Sequence, residues 1–298
     1  MTELWSYTFK TIWDDGTFIL SRAIPPRQAS PILVTTPSHA QPTTMNVAQL
    51  EHAYALRNEL KTSWAASPFE LAHHQGRPAL LMEDPGGELL AAMLGAPWEL
   101  TQFLRVAIGL AVSLGRLHEH GLVHKDIKPA NILVNKATGE AWLMGFGIAS
   151  RLARERQAPE PPSVIAGTLP YMAPEQTGRM NRSIDSRSDL YAFGITLYEM
   201  LTGELPFKAS GPMEWIHCHV ARHALPASER VKGVPVAISA ITSKLMSKNA
   251  EDRYQTAAGV EVDLRRCLRE WESRGQINPF LLRADDVPDR LLIPERLY

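Results

Sequence analysis

Around Glu83-Asp84-Pro85-Gly86-Gly87 the apolar pattern of this chain changes period, and that change limits the folds open to it. Before it, short alternating runs predict strands over Tyr7 to Ile12, Thr17 to Ala23 and Ile32 to Thr35, separated by a turn at Asp14-Asp15-Gly16 and a break at Pro25-Pro26. Phe69 to His73 and Pro78 to Met82, joined around Gln75-Gly76, predict a hairpin. One helix interrupts these strands. Val47, Leu50, Ala53, Tyr54 and Leu56 recur at helical spacing through Lys61, and Asn46 is placed to cap the start. After the change, helices are expected over Thr101 to His120, Arg187 to Leu201, Val236 to Met246 and Thr256 to Trp271, with Gly121 and Gly203 closing the first two. A small, mostly β unit is therefore followed by a larger helical one.

Composition narrows the function. With 298 residues, 45% apolar and 21% charged, the chain can bury a sizeable core as one bilobal unit or two ordinary domains. Its 31 basic and 32 acidic residues nearly cancel, which gives no reason to expect a nucleic-acid or anionic-membrane partner. The two cysteines, Cys218 and Cys267, form no paired framework and suit a reducing compartment. The opening Met1-Thr2-Glu3-Leu4-Trp5 has no signal-peptide pattern, and the longest apolar stretch, Val106 to Leu114, falls short of the roughly 18 residues that span a bilayer. The expectation is a cytoplasmic protein without a membrane span. Pro159, Pro161 and Pro162 predict an extended or mobile strip.

The chemistry-bearing residues lie in the helical part. His124-Lys125-Asp126-Ile127-Lys128-Pro129-Ala130-Asn131 is followed by Gly145-Phe146-Gly147, then Gly167-Thr168, Ala173-Pro174-Glu175, Ser188-Asp189-Leu190-Tyr191-Ala192-Phe193-Gly194 and Asp252-Arg253-Tyr254. This ordered series resembles the protein kinase superfamily, Ser/Thr type. The resemblance implies an α+β, bilobal protein-kinase fold, with a small, mainly antiparallel β N-lobe carrying one helix and a large, mainly helical C-lobe. It also implies roles. Asp126 would accept the substrate hydroxyl proton, Lys128 would sit near the transferred phosphoryl group, and Asn131 would hold Mg²⁺ beside ATP. Glu175 would pair with Arg253, Asp189 would tie a central helix to the catalytic-loop backbone, and His124 and Phe146 would be structural.

Several positions depart from that family. Where its Asp-Phe-Gly carboxylate would hold the metal, this chain has Gly145, which has no side chain. Only Gly16 falls in the stretch Ile12 to Leu20 that should form a glycine-rich phosphate cover. Thr35 stands where a phosphate-binding Lys is expected, which would leave the helix carboxylate Glu59 without its partner; alternatively Glu59 is an exposed carboxylate near Lys61. At the hinge, with Met82 as gatekeeper, Glu83 offers its carbonyl to an adenine ring, but Pro85 has no N–H to offer. Pro85 also suits an ordinary turn ahead of Gly86-Gly87. Lys125 replaces an Arg that could make a bidentate contact to a phosphorylated activation loop.

The resulting expectation is a degenerate nucleotide site of Thr35, Glu59, Glu83 and Asn131, with ATP and Mg²⁺ bound weakly or not at all. The chain would be a pseudokinase acting as a regulatory or partner-binding module. The alternative is a weak or atypical Ser/Thr kinase using Asp126, Lys128 and, as sole metal ligand, Asn131. In the first case Asp126 and Asn131 serve to hydrogen-bond the catalytic loop in place. Ser150, Ser163 and Thr168 are candidate phosphorylation sites. The cluster His217-Cys218-His219 with His223 invites a zinc reading, but no second Cys or carboxylate group completes four ligands.

A narrower resemblance is to the kinase-like domains that open very large bacterial signalling proteins, where an ATPase domain, a GAF domain and often a histidine kinase follow. Glu175-Gln176-Thr177-Gly178-Arg179-Met180-Asn181-Arg182-Ser183-Ile184-Asp185, His217 to Arg222 and the closing Ile293-Pro294-Glu295-Arg296-Leu297-Tyr298 carry it. It implies an N-lobe over 1–84, a C-lobe over 85–275 and a linker over 276–298 toward a further domain. The partners would be proteins or those adjacent domains.

Overall fold

A computed structural model describes residues 4–26, 30–151, 167–179 and 182–287. The N-terminal part is a five-stranded antiparallel sheet, β1 (Thr8–Asp14), β2 (Phe18–Ile24), β3 (Ile32–Pro37), β4 (Pro68–His74) and β5 (Arg77–Glu83), in the order β1-β2-β3-β5-β4. The β4–β5 turn is Gln75-Gly76. Both residues have positive φ, 51° and 77°, as a tight two-residue hairpin of matching twist requires. Alternation along β3 sends Val34 to the outer face, where it joins Leu4, Ala23, Ala79 and Leu81, and sends Leu33 into the main core. Thr35 shares the face of Leu33. The register sets it between Leu20 of β2 and Leu80 of β5.

Helix α1 (Thr44–Ala55) crosses this inner face. Its cap is Thr43 rather than Asn46. The Thr43 hydroxyl accepts from the Asn46 N–H while the Asn46 side chain accepts from the Thr43 N–H, a reciprocal box. The helix also stops at Ala55 instead of running on to Lys61. Leu56, Leu60 and Trp64 are all buried, and the turns that carry them into the core take the chain off the helix axis. Glu59 therefore lies beyond the helix, and the expectation that it projects from α1 is corrected.

The hinge is held from above. Arg22 of β2 donates to both oxygens of Asp84, at 2.5 and 3.2 Å, and to the Gly87 carbonyl at 3.0 Å. Beyond it come β6 (Glu88–Leu89), α2 (Leu100–Glu119), β7 (Leu122–Val123), β8 (Ile132–Val134), β9 (Ala141–Leu143) and β10 (Ser150–Arg151). Then follow α3 (Ser186–Thr202), α4 (Pro212–Ala221), the short α5 (Ala227–Arg230), α6 (Val236–Leu245) and α7 (Ala257–Arg274). This is the α+β bilobal arrangement expected from the motifs. By length and hydropathy α2 could cross a membrane, unlike the shorter stretch read from the sequence. It is the core helix of the C-lobe instead, packed against α7, with Phe103, Leu104, Leu110, Leu114 and Leu117 fully buried.

Residues 276–287 do not trail away as a linker would. Asp286 accepts from the N–H groups of Gln255 and Thr256 at 2.7 and 2.9 Å and from the Thr256 hydroxyl, next to the start of α7. Phe280 lies under the Arg266 guanidinium at 4.2 Å. These contacts strap the segment to the C-lobe. The expected linker residues 288–298, and with them the closing Ile293 to Tyr298 phrase, lie outside the described residues, as do Pro159, Pro161, Pro162, Ser163, Met180 and Asn181.

Candidate functional site

A cavity of about 260 Å³ lies between the inner face of the sheet and the loops that follow β7 and β9. Its floor is built from the string 124–131. Lys125 takes a left-handed conformation, φ 69°, which lets two successive N–H groups, His124 and Lys125, donate to the two oxygens of Asp189 at 2.8 Å each. Asp189 is buried at the start of α3 and also meets the His118 ring at 3.0 Å. The His124 ring bonds the Met144 carbonyl at 2.9 Å and lies 4.8 Å from the Phe146 ring. Burial pushes the His124 pKa below its ordinary value, so it stands neutral in this contact.

On this floor the structure brings Asp126, Lys128 and Asn131 together. Asp126 accepts from the Thr168 N–H (2.9 Å) and hydroxyl (2.7 Å) through one oxygen and from Asn131 Nδ2 (3.0 Å) through the other. Lys128 Nζ lies 3.1 Å from Asp126 and donates to Thr168 Oγ1 at 2.8 Å. Thr168 thus ties the Asp126 carboxylate and the lysine together. The sequence reading places it in the Gly167-Thr168 motif and among the candidates for modification without giving it this role; the signal for the role is that motif, six residues before Pro174. Ser150, another such candidate, is a buried hydroxyl without a hydrogen-bond partner among the described residues rather than an open surface group.

Gly145 has φ 81° and ψ 40°. A Cβ at this position would lie 2.5 to 2.8 Å from Oδ1, Cγ and Nδ2 of Asn131. The asparagine amide therefore fills the room that a side chain at 145 would need, and its Nδ2 is committed to the Asp126 carbonyl and carboxylate. Gly147 allows a similar close approach, because a Cβ there would meet Gln49 of α1 at 3.0 Å.

The ceiling differs in kind. Thr35 does face the cleft, together with Trp13, Phe18, Leu20, Leu80 and Met82. The polar residue that α1 brings to the cleft, beside Leu50 and Ala53, is Gln49, which sequence reasoning missed because it sought a carboxylate. Glu59 is not in the cleft. It bonds Arg151 at 2.5 Å on the surface, which overturns its place in the degenerate nucleotide site. Glu83 ends β5 with an exposed side chain outside the cavity wall, its N–H bonded to the Ser67 carbonyl. The β1–β2 turn supplies Asp15, whose Oδ2 lies 3.9 Å from Lys128 Nζ. Among the described residues lining the cavity, Lys128 is the one cation, and it faces two carboxylates.

Away from the cleft, Glu175 and Arg253 form a fully buried bidentate pair at 2.7 and 2.8 Å. Ser188 donates to the carboxylate, and the carbonyls of Arg187, Ser247 and Lys248 take the remaining guanidinium hydrogens. Burial alone would raise the Glu175 pKa; the Arg253 charge and these hydrogen bonds outweigh it and hold the pKa below its ordinary value. His219, from the string weighed as a zinc site, has both ring nitrogens engaged, by the Tyr191 hydroxyl and the Leu169 carbonyl. Burial pushes its pKa down to about 4.

The sequence profile of the protein kinase domain matches residues 69–263. The chain belongs to the protein kinase family. Among curated relatives of this kinase domain, serine/threonine-protein kinase PknB of Mycobacterium leprae is 37% identical over 189 residues, 63% of this chain and 30% of that protein. The probable serine/threonine-protein kinase CE0033 of Corynebacterium efficiens is 34% identical over 226 residues, 74% of this chain and 34% of that protein. Serine/threonine-protein kinase Pkn1 of Myxococcus xanthus is 34% identical over 207 residues, 68% of this chain and 29% of that protein. The chain spans about a third of the length of the curated relatives it matches. The profile match begins at β4, so β1 to β3 and α1 lie outside it.

Proposed function

We propose that this kinase domain is catalytically impaired and works as a regulatory or partner-binding module, a pseudokinase. The observation that carries the reading is the charge of the cleft: Thr35 and Gly145 stand at two places where the family's phosphate and metal chemistry calls for charge, α1 brings the neutral Gln49, Leu50 and Ala53 to the wall and no carboxylate, and Lys128 is already matched by Asp126 and Asp15. The residues present do not fit a metal–triphosphate pair. A polyphosphate would enter beside two carboxylates, and a metal would find one recognisable ligand, the Oδ1 of Asn131, whose Nδ2 is bonded to the Asp126 carbonyl and carboxylate.

Magnitudes favour the reading. Loss of one preorganised charge-stabilising group costs ~10²- to 10³-fold in rate, and an ordinary protein kinase turns over at roughly 1 to 100 s⁻¹. With both the cation and the metal carboxylate missing, ATP and Mg²⁺ are bound weakly or not at all. The resemblance to the opening domains of large bacterial signalling proteins supports a cytoplasmic setting in which adjacent domains or other proteins are the partners.

A second reading, a weak Ser/Thr protein kinase, is favoured by one arrangement: Asp126, Lys128 and Thr168 are bonded into a single unit at the cleft floor. The relatives named as serine/threonine-protein kinases support it too. Radiolabelled phosphate transfer to the chain itself or to a generic basic protein, with Asp126→Asn as control, decides between the two. No transfer is expected. Transfer that disappears in the control would establish the weak kinase.

A further inference from the structure

The turn that covers the polar end of the cavity is already liganded by its own side chains. Asp14 Oδ1 accepts from the Gly16 N–H at 2.9 Å and from the Ser38 hydroxyl at 2.9 Å. Asp15 Oδ1 accepts from the N–H groups of Thr17 and Phe18 at 2.9 and 2.8 Å. The backbone donors of Gly16, Thr17 and Phe18, which a phosphate at this position would need, are each taken by a carboxylate. Asp15 is held by one oxygen and extends the other toward Lys128, 3.9 Å away across the cleft.

We propose that Asp15 is a built-in anion that occupies the phosphate end of the cleft against Lys128, so that the site takes an uncharged, nucleoside-sized ligand in preference to a nucleoside polyphosphate. The inference rests on the reading of the cleft as catalytically impaired, and it specifies the ligand. Three features carry it. The carboxylate sits where negative charge would have to enter, and one Lys cannot neutralise Asp126, Asp15 and a triphosphate together. The inner part of the cavity, by contrast, is walled by Leu20, Ala53, Leu80, Met82 and Met144, with Thr35 and Gln49 as neutral polar groups. The volume of the whole cavity, polar end included, is about 260 Å³, just under the roughly 300 to 1,000 Å³ typical of sites for larger organic ligands.

The test is calorimetric titration of the full chain with adenosine and with ATP, for the unmodified protein, Asp15→Asn, and Asp15→Asn combined with Lys128→Met. Asparagine keeps the acceptor for the Thr17 and Phe18 N–H groups and removes only the charge, and thermal unfolding checks that each form is folded. The unmodified chain should bind adenosine more tightly than ATP. Asp15→Asn should raise ATP affinity by about tenfold or more while leaving adenosine unchanged, and Lys128→Met should cancel that gain. Tighter binding of ATP by the unmodified chain, an unchanged ratio of the two affinities in Asp15→Asn, or no binding of either ligand to any form would each overturn the proposal. Phosphate transfer by the unmodified chain would overturn the pseudokinase reading instead, and the affinity ratio separates the two failures.

Discussion

The floor and the ceiling of one cleft have been kept to different standards. On the floor, family residues that also hold the fold together are present and bonded: Asp189 under the loop backbone, His124 against Phe146, and Asp126 with Asn131. On the ceiling, the positions with no packing duty carry Thr35, Gln49 and a self-liganded acidic turn. A β3 lysine would be held by its ligand and partner carboxylate, not by the sheet, so a threonine replaces it without opening the core. The difference teaches that the family's architecture persists where residues that bear only charge are replaced.

The sharpest way to break the comparison is at Glu175 and Arg253. If the C-lobe is maintained for structure, Glu175→Ala or Arg253→Ala leaves a charge buried and unpaired, at a cost of ~3 to 5 kcal/mol. Denaturant midpoints measure it. A midpoint equal to the parent's would mean that the pair contributes nothing to the C-lobe that carries the floor.

Acid should expose the same order through its histidines. His219 titrates near 4 in the folded chain against an ordinary value of 6.5, so the unfolded chain binds the proton more readily between those values. Stability is therefore full above about pH 6.5 and falls as pH drops toward 4, by on the order of 3 kcal/mol from this residue. His124, also lowered by burial, acts in the same direction. The Glu175 contribution is present above 4.5 and is lost only as pH falls further, through its lowered folded value. Unfolding midpoints at pH 7.5, 5.5 and 4.5 should decline in step, and His219→Gln should flatten the slope; a flat profile for the parent would contradict the buried neutral histidines.

Restoring the ceiling sharpens the comparison from the other side. Gly145→Asp should cost ~1 to 2 kcal/mol, because φ is positive there and Asn131 must move away from the new Cβ. Alone it should transfer no phosphate, and neither should Thr35→Lys, which would meet Gln49 instead of a carboxylate. The triple form Thr35→Lys, Gln49→Glu, Gly145→Asp is expected to gain Mg²⁺-dependent nucleotide binding and slow, Asp126-dependent transfer. Labelled-phosphate assays on all forms check this. Activity in either single variant would show that the ceiling lacks less than its residues indicate.

The smallest effect is expected at Glu59. Its partner Arg151 is largely exposed, so Glu59→Ala should change stability by less than about 1 kcal/mol and leave ligand affinity untouched. A change in affinity measured by the same titration would return Glu59 to the cleft.

Much of the architecture was legible because it is local. The Gln75-Gly76 hairpin, the helix closing at Gly203 and the change of period near the hinge follow from backbone preferences that neighbouring residues impose. The pairs Glu175–Arg253 and Asp189 with the 124–125 backbone followed from the family pattern, since buried charge must find its partner. Other features were not legible. The end of α1 at Ala55 depends on Leu56, Leu60 and Trp64 being drawn into a core formed by distant strands, and helical periodicity alone continues past that point. Strapping of 276–287 depends on Asp286 meeting N–H groups some 30 residues earlier in the chain.

The sequence by itself determined the two-part architecture, the catalytic-loop residues and the absence of a side chain at 145. Tertiary structure alone decided that Asn131 fills the space beside Gly145, that Gln49 and not Glu59 looks into the cleft, and that Asp15 reaches toward Lys128. The physical reason is the range of the forces involved. Turn and helix preferences act over a few residues, whereas the occupancy of a cleft is set by which side chains from remote elements meet there and by the charge each brings.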